Sequence, residues 1–94
     1  MAPPIQLTPQ QIQRITRALA DPNRFEMLRK IHAHPSLSCG NTCSDMTVSP
    51  ATASHHIREL EMADLITVTR EGRYRILEPR HDVWRAYLAE LRKF

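Results

Sequence analysis

No stretch of this chain approaches the about 18 apolar residues that a membrane-spanning helix needs, so no membrane partner is expected. The first eleven residues have neither a basic start nor an apolar run, and a secretory leader is not expected there. Cysteine is scarce. Two thiols in a chain without an export signal point to reduced side chains in a cytoplasm, not to a structural disulfide. No internal repeat and no low-complexity tract is present, which sets aside repeat architectures. Lysine is nearly missing, with two residues against eleven arginines. Arginine carries a planar donor fork suited to phosphate and to guanine edges.

What is present fits one small folded domain over residues 1–94, with 41% hydrophobic and 24% charged residues. A domain of this size covers its apolar surface incompletely, so self-association is expected. A net charge of +3 tilts the chain toward a polyanionic partner. Residues 1–7 are read as a flexible start.

Helix signals are dense. Thr8 caps a helix with Pro9 at its first position and Gln11 closing a capping box; Leu7 and Ile12 suit a hydrophobic staple. Ile12, Ile15 and Leu19 follow at helical spacing. Asp21 and Pro22 start a second helix that ends near His34–Pro35, with Phe25, Leu28 and Ile31 on its apolar face. Residues 36–48 are poor in helix formers, and a short helix is expected around Gly40–Met46. Ser49 caps a strong helix with Pro50 first, running to about Ala63. A strand over Leu65–Arg70, a turn at Glu71–Gly72 and a second strand over Arg73–Leu77 follow, closed by Pro79. Residues 80–93 form a last helix. Val83 and Tyr87 lie on one stripe of it, and Trp84, Leu88 and Leu91 on the next, an apolar face broader than one monomer's core covers. The order is α-α-α-α-β-β-α, mainly helical with a small β-hairpin. It matches a helix-turn-helix with a wing, in which the second helix enters the DNA major groove.

The capped helix from Pro50 is unusual for a solvent face. At 100° per residue Ala53, Ile57 and Leu60 share one narrow arc. The other side shows Ala51, Thr52, Ser54, His55 and Arg58, groups that read base edges, and Ser49 can face a phosphate at the helix start. His56 lies at the edge of the core arc and reads as a packing histidine. Arg70, Arg73 and Arg75 surround Gly72 and suit phosphate or minor-groove contact. Alone, the helix face also fits a solvated surface and the hairpin a charge-guarded edge; side by side they point to DNA.

Three stretches, "ALADPNRFEMLRKI", "SPATASHHIRELEMADLI" and "REGRYRIL", resemble the signature segments of the arsenic-repressor (ArsR-type) winged-helix family. The resemblance spans about residues 12–78. It implies a bacterial homodimeric transcriptional regulator, usually a repressor, with its reading helix at 50–62 and its wing at 70–75. It also implies pairing through the first and last helices, 8–20 and 80–93 here. The interface would use Ile12, Ile15, Leu19, Val83, Trp84, Tyr87, Leu88 and Leu91.

The chain departs from the family's sensor sites. Arsenite sensors carry Cys-x-Cys-x-x-Cys before the reading helix. Cys43 fits its last position, whereas Cys39 is one residue out of register with either earlier one. The zinc pattern of the last helix is not met by His81 and Asp82, and no metal or other cofactor is expected. Cys39 and Cys43 are open to three readings: small core residues, a redox sensor, or ligands of a thiophilic ion whose arrival releases DNA. No small inducer is named by these residues. A winged helix that binds protein in place of DNA is the alternative; it calls for an acidic or apolar reading face. No nucleophile, base and orienting group fall in order, so no enzyme is expected.

Overall fold

The computed structural model describes residues 5–94. The described elements are α1 (Pro9–Leu19), α2 (Pro22–Ala33), β1 (Leu37–Ser38), α3 (Cys39–Thr42), α4 (Pro50–Met62), β2 (Ile66–Glu71), β3 (Tyr74–Pro79) and α5 (His81–Leu91). Residues 1–4 of the expected flexible start lie outside the described residues. Its end is anchored: Leu7 packs against the core.

The helix starts form as their caps dictate. Thr8 Oγ1 accepts from the Gln11 amide at 3.1 Å, and the Gln11 side chain accepts from the Thr8 amide at 2.8 Å. Asp21 accepts from the amides of Asn23 and Arg24, and Ser49 from that of Thr52. Proline follows each cap and needs no donor partner there.

The region 36–48 differs from expectation. The short helix is a single turn, Cys39–Thr42, placed earlier than Gly40–Met46, and a strand precedes it. Leu37 and Ser38 pair antiparallel with Leu77 and Ile76, so the hairpin is part of a three-stranded sheet, β1-β3-β2. The element order is therefore α-α-β-α-α-β-β-α. Ser36 takes φ of 68° to enter this strand, and its hydroxyl donates to Glu78. Lys30 of α2 pairs with Asp45 beyond α3 and ties down the following loop.

The hairpin turns at Gly72–Arg73, one residue later than expected, because Glu71 pairs with Tyr74. The positive φ of 60° falls on Gly72, the first loop position, as in a type II′ turn. Pro79 is the last residue of β3, not its terminator. The short β1 reaches only Ile76 and Leu77, so no third strand needs the missing Pro79 amide.

Ile15, Met27, Ile31, Ile57, Leu60, Leu65, Ile66, Leu77 and Val83 belong to one buried cluster to which α1, α2, α4, β2, β3 and α5 all contribute. Tyr87 Oη and Thr16 Oγ1, 2.9 Å apart, fasten α5 to α1. Among the described residues no helix is long and apolar enough to cross a membrane. Ile57 sits on the inner side of α4 and is essentially inaccessible. Ile57→Ala should cost about 2–5 kcal/mol in urea unfolding, from lost burial plus the cavity left behind. A loss under about 1 kcal/mol would contradict this placement.

Candidate nucleic-acid interface

The inner side of α4 is committed to the core through Ala53, His56, Ile57 and Leu60. That commitment turns Ala51, Thr52, His55 and Arg58 outward, and all four are exposed. The exposed Ser49 hydroxyl also donates to Thr52 Oγ1 at 2.9 Å, so the two hydroxyls lie together at the helix start.

Two attachments set the roll of α4. Arg24 on α2 donates from Nε to the Ala18 carbonyl at 2.9 Å and from Nη2 to the Arg17 carbonyl at 3.3 Å. Its Nη1 lies 3.3 Å from His56 Nδ1. Arg24 can only donate, so Nδ1 is the acceptor and the neutral ring carries its proton on Nε2, facing Asp21 at 3.9 Å. The other attachment ends the helix. The Leu65 amide donates to the Leu60 carbonyl at 3.1 Å and the Asp64 amide to the Glu61 carbonyl at 2.9 Å, a Schellman motif. Asp64 takes the left-handed position with φ of 60°. Leu60 and Leu65, both fully buried, form its apolar contact. This turn aims the chain from α4 directly into β2.

The wing brings Arg73 and Arg75 beside the start of α4. Arg70 and Arg75 are direct cross-strand partners and share one face of the hairpin. Like charges at paired positions destabilise a sheet unless an anion lies between them. Arg70 and Arg73 are exposed. Among the described residues, Arg58, Arg70, Arg73 and Arg75 form no ion pair, whereas Arg80, Lys30 and Lys93 each hold a carboxylate.

Two expected contacts are placed differently. Arg75 Nη2 donates to Ser54 Oγ at 3.1 Å and approaches Cys39 Sγ at 3.6 Å. Both Arg75 and Ser54 are half-buried and hold the wing to α4, not outward. Tyr74 was missed. It stands 54% exposed at the wing with the Arg73 guanidinium 5.6 Å from its ring centre. The signal for it was an aromatic beside the turn glycine.

Cys39 and Cys43 sit at either end of the α3 turn, both half-buried and free. Burial first, and then the neighbouring Cys39, push the Cys43 thiol up to about 11. The described residues bring no cluster of three or more His, Cys, Asp or Glu that would complete a metal site there. Asp82 is held by Arg80 at 2.8 Å, and His81 stacks edge-on with His32.

Of the residues expected to pair two copies, Ile15, Val83 and Tyr87 are largely taken up by the chain's own core. Ile12, Leu19, Trp84 and Leu88 are half-buried, and Leu91 is exposed. Phe94, fully exposed, extends that apolar strip and was not anticipated.

A helix with a polar, donor-rich outer face beside an arginine-bearing β-hairpin defines a winged helix-turn-helix domain. A helix-turn-helix domain family model matches residues 19–69, more than half of the chain. No curated protein matches. Among solved structures, an ArsR family transcriptional regulator superposes with a TM-score of 0.83 and 25% identity, over 95% of this chain and 91% of that one. An ArsR-like regulator from Rhodococcus sp. RHA1 gives 0.78 at 18% identity, over 89% and 78%. A homodimeric winged helix-turn-helix DNA-binding domain from Mycobacterium bovis, a possible ArsR-family regulator, gives 0.73 at 23%, over 89% and 79%. The chain belongs to the helix-turn-helix domain family, and within it is an ArsR-type, DNA-binding transcriptional regulator.

His56, buried on the inner side of α4, and the half-buried His32 give the fold a pH response. Burial holds His56 below its ordinary value of 6.5; Arg24 and His55 add to this, while Asp21 and Glu59 oppose it. Burial and the charge of His81 lower His32 likewise. The folded chain therefore keeps both rings neutral where the unfolded chain already binds protons. Their contribution is complete above the ordinary value and is lost as pH falls below it. Unfolding free energy should decline from about pH 7 to about pH 5. Imidazole titration by NMR should place both midpoints below 6.5; a His56 midpoint above that value would contradict the burial argument.

Proposed function

We propose that the chain acts as a homodimer that binds a pseudo-palindromic stretch of double-stranded DNA and represses transcription there. The observation that carries this reading is the surface shared by α4 and the wing. Ala51, Thr52, His55 and Arg58 are exposed on α4, Arg70 and Arg73 are exposed on the wing that Arg75 joins to α4, and among the described residues none of these arginines is neutralised by a carboxylate. Ser49 caps the helix start, where a phosphate is favoured. Arg58 and His55 read bases, and the wing arginines hold the backbone. Ser54 and Arg75 join the wing to the helix.

The dimer uses what the core leaves uncovered on α1 and α5: Ile12, Leu19, Trp84, Leu88, Leu91 and Phe94. The Mycobacterium bovis domain, a homodimer, supports this arrangement. Two-fold proteins read two-fold sites, with half-sites about one helical turn or a multiple apart. The regulator is not an enzyme, has no membrane partner, and works with reduced thiols in the cytoplasm. Chemistry at Cys39 and Cys43 releases the DNA, because α3 lies directly before α4 and its single turn is easily displaced. A thiophilic ion would need a third ligand from elsewhere.

Selection of binding sites from random duplex DNA tests this reading. It should return two inverted half-sites. Arg58→Ala should cost about 1–3 kcal/mol at particular base pairs. Arg73→Ala should weaken all sequences alike and lower the salt slope by about one. Leu88→Glu should give monomers in sedimentation and lose most operator affinity. No enriched sequence, or an unchanged salt slope for Arg73→Ala, would overturn the assignment.

A further inference from the structure

We propose that Cys39 is an S-thiolation site. Its sulfur takes up the thiol half of a small, negatively charged disulfide in the cavity between α3, the start of α4 and the wing, and this unfastens the wing from α4. The consequence for DNA rests on the reading given under Proposed function.

The cavity measures about 490 Å³, within the range of sites for small organic ligands. Cys39, Cys43, Ser54, Arg73, Tyr74 and Arg75 are among the residues that line it. It has two guanidinium groups and no carboxylate on its walls, so an anionic visitor is favoured over a cationic one. Sulfur and cation are already in contact, with Arg75 Nη2 3.6 Å from Cys39 Sγ. A guanidinium there draws in a carboxylate of the incoming disulfide and brings it beside the sulfur.

The two thiols are not equivalent. The Cys43 thiol is pushed up to about 11, first by burial and then by the neighbouring Cys39, with which it shares a hydrogen bond, and it stays protonated near neutral pH. An internal bridge is also opposed. The Cys43 amide donates to the Cys39 carbonyl at 3.1 Å, the spacing of one helical turn. Side chains at that spacing have Cβ atoms about 5–6 Å apart, beyond the about 3.5–4.5 Å of a relaxed disulfide. Cys39 is thus left to an external partner.

The step is ordinary thiol–disulfide exchange. The Cys39 thiol loses its proton to water. Its thiolate attacks one sulfur of the disulfide R–S–S–R, a Cys39–S–S–R bond forms, and the R–S–S–R bond breaks. The leaving thiolate takes the electron pair and a proton from water. Cys39 sulfur is oxidised and the departing sulfur reduced, with no other oxidant. The attached group fills the cavity that Arg75 now crosses, and Arg75 can no longer hold both Cys39 and Ser54. The wing then loses its polar link to α4. Reduction of the mixed disulfide restores it.

The test uses the reduced, full chain and three probes at equal concentration: oxidised glutathione (anionic), hydroxyethyl disulfide (neutral) and cystamine (cationic). Intact mass and peptide mapping follow the adduct, and binding to the selected operator is measured before and after. One adduct on Cys39 is expected, forming about tenfold faster with the anionic than with the cationic probe. Arg75→Gln should lose that preference and Arg75→Lys should keep it. Cys43→Ser should still be modified, and Cys39→Ser should not. Operator affinity should fall at least about tenfold on modification and return with reductant. Modification at Cys43, equal rates with all three probes, or unchanged affinity of the fully modified protein would overturn the proposal. If the unmodified protein binds no DNA, the regulator reading fails, while the mapping and rates still judge the thiolation site.

Discussion

Ile57 and Leu60 lie in one buried cluster with Ile15, Met27 and Leu65, and this packing fixes the orientation of α4. A helix has one rotation at which these residues are dry. At that rotation Thr52, His55 and Arg58 face out, with nothing else left to choose. The Arg24 clamp on His56 and the Leu60–Leu65 turn secure the same rotation by hydrogen bonds. Recognition chemistry is therefore a by-product of core packing. A residue far from any partner, such as Ile57, governs where the reading groups point.

The wing is held by weaker means. Its strands pair with one another along six residues, but β1 adds only two more pairs. Its polar link to α4 runs through Arg75 to Ser54. Such a link is worth roughly 1.5–3 kcal/mol when one partner is charged, far less than the α4 packing. The rigid part of the surface is the helix and the adjustable part is the wing. The thiol of Cys39 touches the adjustable part.

Local signals were legible in the sequence because they act over three or four residues. Thr8, Asp21 and Ser49 cap helices as their spacing to Gln11, Pro22 and Pro50 indicated. Gly72 marked the turn, although pairing of Glu71 with Tyr74 moved it by one residue. Features decided by distant partners were not legible. Leu37–Ser38 is too short to show an alternation, and it is a strand only because β3 lies beside it. The end of α4, by contrast, falls where the sequence placed it, near Ala63, although Asp64 stands where a glycine is the usual signal. Arg75 looks like its neighbours in sequence, and only Ser54 across the cavity turns it inward. Ile15, Val83 and Tyr87 shared helical stripes with exposed neighbours, and the fold took these three for its own core.

The central claim is that α4 and the wing form one continuous DNA-binding surface. Amide chemical shifts recorded on titrating the reduced protein with its selected operator test it most directly. The account predicts that the largest changes fall on residues 49–58 and 70–73, with α2 and the buried side of the sheet little affected. Changes confined to α5, or absent from the wing while α4 responds, would contradict it.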